Sequence, residues 1–212
     1  MKPTQMCRIA SIADRLRDDD VHLFLVPYRR EQKREPLRQI LGAYIGISGR
    51  DVMLADGEFG RPELAPAHNV TLGFNWSHSG DHALIAVGRY FTPGIDIERQ
   101  RDRARALDIA EHYFCKDELA VLASTPVEAR SAVFLELWTA KEAVLKALGR
   151  GIAFGLDRLR VESLQGRLIL RWLDGDDALA WQLHRLNVGD DYAAALAWRG
   201  SARNLQCWTV AV

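Results

Sequence analysis

Short apolar runs alternate with longer periodic stretches along this chain, and the two patterns predict a mixture of strands and helices. Val21 to Pro27 (VHLFLVP) is short, apolar and closed by proline, which predicts a buried strand. Behind Pro36, a residue suited to a first helical turn, Leu37, Ile40, Leu41, Tyr44 and Ile45 recur at helical spacing. Gly46 to Gly49 ends that helix. Gly57 to Ala67 is rich in glycine and proline and predicts a loop. Phe74 to Gly80 predicts a short strand running into a turn, and His82 to Tyr90 a second strand. Thr92-Pro93-Gly94 is a turn, Ile95 to Glu98 a third strand, and Leu107 to Phe114 a helix. The longest helical pattern runs from Glu128 to Leu148, with Val133, Leu137, Ala140, Val144 and Leu148 on one face and Gly149-Arg150-Gly151 as its stop. The remainder reads as β-rich: Arg158 to Val161, Leu168 to Leu173, Ala180 to Leu186, Tyr192 to Trp198 and Cys207 to Val210.

His82 to Arg89 (HALIAVGR) echoes Tyr192 to Arg199 (YAAALAWR); each follows a polar turn with aspartate and lies downstream of a helix. The echo hints at two related halves joined near residue 100. A length of 212 residues with 48% hydrophobic content suffices for one large domain or two small ones. The formal net charge is zero, so no global field favours nucleic acid, and a charged partner must meet a local patch. Cys7, Cys115 and Cys207 are far apart and form no zinc motif, which predicts a reduced, cytoplasmic protein. Met1 to Ala10 lacks the apolar run of a signal peptide, and no apolar stretch approaches the roughly 20 residues that span a bilayer.

Candidate chemistry sits in two phrases. In Gly94-Ile95-Asp96-Ile97-Glu98, strand alternation puts Asp96 and Glu98 on one face and the isoleucines on the other. Taken alone, this fits a half-buried strand with a solvated polar face. In Trp138-Thr139-Ala140-Lys141-Glu142-Ala143-Val144-Leu145-Lys146, Trp138, Glu142 and Lys146 share a helix face, and taken alone Glu142 and Lys146 fit a surface ion pair. Together the carboxylates are hard oxygen donors of the kind Mg²⁺ takes, and lysines beside them suit a polyphosphate ligand. Ser77-His78-Ser79-Gly80 adds hydroxyls and an imidazole in a small polar turn able to donate to phosphate.

These pieces resemble the 4′-phosphopantetheinyl transferases, in particular the larger, surfactin-synthetase-activating type. The resemblance spans about Arg38 to Leu156. It rests on Gly60-Arg61-Pro62, Phe74 to Gly80, Gly94 to Glu98, Tyr113-Phe114 with Glu118, and Trp138 to Lys146 ending in Gly149-Arg150-Gly151. It implies an α+β fold of two pseudo-symmetric halves, each a small antiparallel sheet packed with a long helix. The expected halves are residues 1–100, binding coenzyme A, and 101–212, carrying the Lys-Glu-Ala helix, with the active site in the cleft between them.

The resemblance also implies a Mg²⁺-dependent reaction. A carrier-protein serine attacks the β-phosphate of coenzyme A, and adenosine 3′,5′-bisphosphate leaves. Asp96, Glu98 and Glu142 would hold the metal, with Glu142, Lys146 and His78 as catalytic residues. Arg38, Arg61, Ser77, His78, Lys141 and Lys146 would contact coenzyme A. Arg61 stands where the family usually has lysine, and the basic stretch Arg29 to Arg34 is compressed, leaving Arg30, Lys33 and Arg34 as candidates only. Carriers of this system are acidic around the modified serine, so Arg99 to Arg105 is the expected docking segment of a monomeric, cytoplasmic enzyme with no nucleic-acid or membrane partner. Fatty-acid, polyketide and nonribosomal-peptide carriers all fit. A non-catalytic carrier- or nucleotide-binding module, or another Mg²⁺-dependent phosphoryl-transfer enzyme, are the alternatives.

Overall fold

The computed structural model describes residues 3–210, with side chains from residue 8 onward, so part of the segment read as lacking a signal peptide and the thiol of Cys7 lie outside the described residues. In chain order the elements are α1 (Pro3–Ala13), β1 (Asp20–Pro27), α2 (Glu35–Ile45), β2 (Leu54–Asp56), β3 (Pro62–Leu64), β4 (Leu72–Ser79), β5 (His82–Arg89), β6 (Gly94–Arg99), α3 (Ala106–Tyr113), α4 (Lys116–Ser124), α5 (Val127–Leu148), β7 (Leu159–Leu164), β8 (Arg167–Leu173), β9 (Trp181–Arg185), β10 (Tyr192–Arg199) and β11 (Asn204–Thr209). This is the α+β content that the residue pattern predicts. No helix among the described residues is long and apolar enough to cross a membrane.

The backbone divides into two units: the described residues up to Pro93 with those from Arg203 onward, and Gly94–Ala202. The division expected near residue 100 differs in two places, both set by strand pairing. Strand β6 pairs antiparallel with β10, so the carboxylate strand belongs wholly to the second unit. The last strand, β11, returns to pair in parallel with β1.

In the first unit the sheet order is β11-β1-β5-β4. The β4–β5 hairpin closes through Gly80-Asp81, with Ser79 opposite His82, and Gly80 takes the positive φ of 60° that a two-residue hairpin loop demands. Ile9 and Ile12 of α1 and Leu37, Ile40 and Leu41 of α2 share one core with Phe24, Phe74 and Ile85 of the sheet. A small β2–β3 hairpin reaches into the segment expected to be loop. The helix of this unit, α2, has 11 residues, half the length of α5 in the other.

In the second unit the sheet order is β6-β10-β9, with β7 and β8 forming a separate hairpin. The echoing segments occupy matching places, since β5 and β10 are both inner strands. Helix α5 is buried more widely than a one-face stripe: every residue from Thr139 to Leu145 is buried, Lys141 and Glu142 included. Its last turn closes at Gly149, left-handed at φ 72°, whose amide donates to the carbonyls of Leu145 and Lys146.

What brings α5 so near the sheet is the absence of side-chain bulk. Ala195 and Ala197 of β10 lie in the same core as α5, and Gly94 of β6 pairs opposite Ala197. A Cβ on Gly94 would fall 1.9 Å from the Ala143 carbonyl oxygen and 2.3 Å from the Ala147 amide nitrogen. Gly94→Ala therefore forces the helix off the strand. Overpacking of this kind costs about 1–3 kcal/mol, to be read as a lower denaturant midpoint at unchanged m-value; an unchanged midpoint would contradict the close contact.

Candidate functional site

All the expected metal ligands lie in the second unit, on β6 and α5. The alternation expected of β6 holds: Ile95 and Ile97 are buried on one face, and on the other Asp96 meets α5. Lys146 Nζ donates to Asp96 Oδ1 at 2.7 Å, with the Asp96 side chain 6% exposed and that of Lys146 26% exposed. The strand face that could have been solvated is thus covered by the helix. Glu98, two residues on, accepts from Arg103 Nη2 at 3.2 Å.

Glu142 lies one helical turn before Lys146 and is 7% exposed. Its Oε1 is buried and has no hydrogen-bond partner among the described residues. Burial pushes the Glu142 carboxyl up from the ordinary 4.5 to about 7; the Lys146 ammonium opposes this, while the Asp96 and Glu98 carboxylates add to it. Three carboxylates therefore act on one space, and burial keeps the proton on Glu142 to a higher pH than an ordinary carboxyl. A buried carboxylate oxygen without a partner among like charges is the signature of a site made for a positive ligand. The donor set is all oxygen, as Mg²⁺ takes. As the side chains stand, with Lys146 on Asp96 and Arg103 on Glu98, no group of three His, Cys, Asp or Glu among the described residues is drawn to metal-holding distance.

Lys141, expected at coenzyme A, is not brought to this site. Its side chain is fully buried, and its ammonium donates to the carbonyls of Leu156 at 2.7 Å and Leu159 at 2.6 Å and pairs with Glu118 Oε2 at 2.7 Å. All three protons are used, so the residue serves the fold. Burial lowers its pKa, and the Glu118 carboxylate opposes that shift. Glu118 also accepts from the amides of Cys115 at 3.1 Å and Val161 at 2.8 Å, so one ion pair joins α4, α5, β7 and the turn before β7.

The other expected contacts sit in the first unit. Arg38 lies on α2, and its Nε is buried without a hydrogen-bond partner among the described residues. Arg61 precedes β3 and pairs with Glu63 at 2.8 Å. Ser77 and His78 are neighbours near the end of β4, so strand alternation turns them to opposite faces. His78 is exposed and stacks on Tyr28, with ring centroids 4.5 Å apart.

Sequence reasoning did not find the inward role of Arg103, and it gave Glu118 no task. The spacing of Cys115 and Glu118 matches a helix capping box, but cysteine is an unusual cap, so the signal was faint. The Glu142 shift has a measurable sign. Its folded pKa lies above its unfolded value, so the metal-free protein holds the associated stability below about pH 4.5 and loses it as pH rises through about 7. The expected loss is about 3 kcal/mol across that window. Glu142→Gln flattens it, and denaturant midpoints recorded against pH would check this; equal slopes in both proteins would contradict the buried carboxyl.

The geometry leaves the reaction class open, and comparison with known proteins closes it. The model of the 4′-phosphopantetheinyl transferase superfamily matches residues 92–197, which contain Asp96, Glu98, Glu142 and Lys146. The 4′-phosphopantetheinyl transferase HetI of Nostoc sp. is 34% identical over 174 residues, covering 81% of this chain and 71% of that one. The 4′-phosphopantetheinyl transferase psf-1 of Bacillus pumilus is 31% identical over 188 residues, covering 88% and 78%. Among solved structures, a holo-(acyl-carrier-protein) synthase from Bacillus anthracis in complex with CoA (3′,5′-ADP) aligns at a TM-score of 0.43 and 23% identity, covering 51% of this chain and 96% of that one. The family match runs from just before the carboxylate strand to within β10, the strand paired to it, and so contains all the residues of the carboxylate site, and both relatives extend the likeness over most of the chain: the chain belongs to the 4′-phosphopantetheinyl transferase superfamily and is a 4′-phosphopantetheinyl transferase.

Proposed function

We propose that this enzyme transfers the 4′-phosphopantetheine group of coenzyme A to a serine of an apo acyl or peptidyl carrier protein, in a Mg²⁺-dependent reaction that releases adenosine 3′,5′-bisphosphate. The observation that carries the reading is the buried Glu142 carboxyl, its Oε1 unpartnered among the described residues, beside Asp96 and Lys146. Asp96, Glu98 and Glu142 would hold Mg²⁺, which when bound offsets the charge of the pyrophosphate. Glu142 takes the proton of the incoming serine hydroxyl, directly or through a water. The serine oxygen bonds to the β-phosphorus as the bond to the bridging oxygen breaks. Lys146 turns from Asp96 to steady the pyrophosphate and then the leaving bisphosphate. Arg38, Arg61, Ser77 and His78 bind coenzyme A in the first unit; the Arg38 Nε, without a hydrogen-bond partner among the described residues, and the exposed His78 support this. The reading takes the enzyme to be a monomer acting in the cytoplasm.

Mass spectrometry of apo carrier proteins incubated with coenzyme A, Mg²⁺ and the enzyme should show the added phosphopantetheine. No added mass on any of several acyl and peptidyl carriers would overturn the reading. Glu142→Gln should abolish transfer with the fold retained, and Lys146→Ala should lower kcat about 10²–10³-fold, as loss of a preorganised charge does.

The docking segment divides by direction. Arg99, Arg101 and Arg105 are exposed, whereas Arg103 turns inward onto Glu98. The outward arginines are the part suited to an acidic carrier. Charge reversal at Arg101 and Arg105 should raise the apparent KM for carrier at low salt, with the gap narrowing at high salt. A KM that stays put at every ionic strength would exclude this surface.

A further inference from the structure

Glu98 is the least enclosed of the three carboxylates, its side chain 26% exposed against 6% for Asp96. Asp96 shares its strand face and Glu142 couples to it electrostatically, and repulsion among these groups when ionised favours a rotamer that swings it toward water. Arg103 opposes that swing. Its Nη2 donates to Glu98 Oε2 at 3.2 Å, and its side chain is 18% exposed, whereas that of Arg105 is 82% exposed. The guanidinium also lies over the Phe134 ring, 5.8 Å from its centroid. The backbone is located independently: the Arg103 amide donates to Ser131 Oγ at 2.9 Å, and Ser131 Oγ donates to Asp102 Oδ1 at 3.1 Å. Ser131 and Phe134 are three residues apart on α5, hence neighbours on its surface. The helix that carries Glu142 and Lys146 therefore also fixes the arginine that fixes Glu98.

We propose that Arg103 is a positioning residue for Glu98, keeping its carboxylate on the face of β6 that carries Asp96 through a latch of Ser131, Asp102 and Phe134. This rests on the Mg²⁺ reading above. Ligating carboxylates are commonly held by such a partner, and its loss weakens metal affinity about 10–100-fold.

The test titrates Mn²⁺, which shares the oxygen-ligand preference of Mg²⁺, into the whole protein at fixed coenzyme A, with free Mn²⁺ followed by electron paramagnetic resonance. Arg103→Met should bind Mn²⁺ about 10–100-fold more weakly, and Arg103→Lys should recover most of the loss. Ser131→Ala keeps the charge and cuts only the latch, so it should weaken binding by less, in the same direction. Denaturant midpoints separate this from a general loss of fold, which would lower the midpoint without changing the affinity of folded protein. Binding by Arg103→Met as tight as wild type, or tighter, overturns the inference and leaves the Mg²⁺ reading intact. If that variant does not fold, unchanged affinity in Ser131→Ala overturns it instead. A wild-type protein that binds no Mn²⁺ removes the Mg²⁺ reading and this inference with it.

Discussion

The close approach of α5 to β6 is the constraint on which the site depends. A helix packed on a sheet usually stands off by the depth of a layer of side chains. Here Gly94 removes that layer at one point, and the alanines of β10 thin it beside that point. The helix backbone comes down onto the strand, and Asp96 meets Lys146 directly. Water is excluded by the same act, and its exclusion raises the Glu142 pKa. Geometry and electrostatics thus share a single cause, the missing Cβ of one glycine.

Such an approach must be held against the cost of burying charge. Lys141 and Glu118 do this on the opposite side of the helix. Five residues separate Lys141 from Lys146, which turns the two side chains well apart around the axis. One lysine points inward and ties four segments together; the other stands partly exposed at the carboxylates. A buried pair adds little net stability over apolar packing, but removing one partner leaves a charge that nothing solvates. The pair is therefore better read as a device that fixes where α5 sits than as a source of stability.

These features divide what the sequence shows from what it hides. The β6 alternation, the length of α5 and its glycine stop are local, and the residue pattern predicts them. Asp96, Glu142 and Lys146 come together because a strand period and a helix period each bring their residues to one face. Lys141 reads wrongly because side-chain charge suggests a ligand, and only the depth of α5 shows that the charge is spent inside. The parallel return of β11 to β1 and the inward turn of Arg103 depend on contacts distant in sequence. Their residues carry no periodic mark. Helix α4 is hidden for another reason: its opening is capped by a cysteine rather than by serine, threonine or aspartate.

The charges around the site close the argument. Asp96, Glu98 and Glu142 face two cations, Lys146 and Arg103. Without a metal, full ionisation would leave one negative charge uncompensated in a largely buried space. The raised pKa of Glu142 resolves this by keeping a proton on that carboxyl. A divalent cation would displace the proton and turn the local balance positive by one, which is what an anionic pyrophosphate needs to enter. Lys146 could then leave Asp96 for phosphate without stranding a buried charge. The carboxyl that neutralises the resting site is thus the one proposed to accept the serine proton, and a single buried glutamate answers both demands.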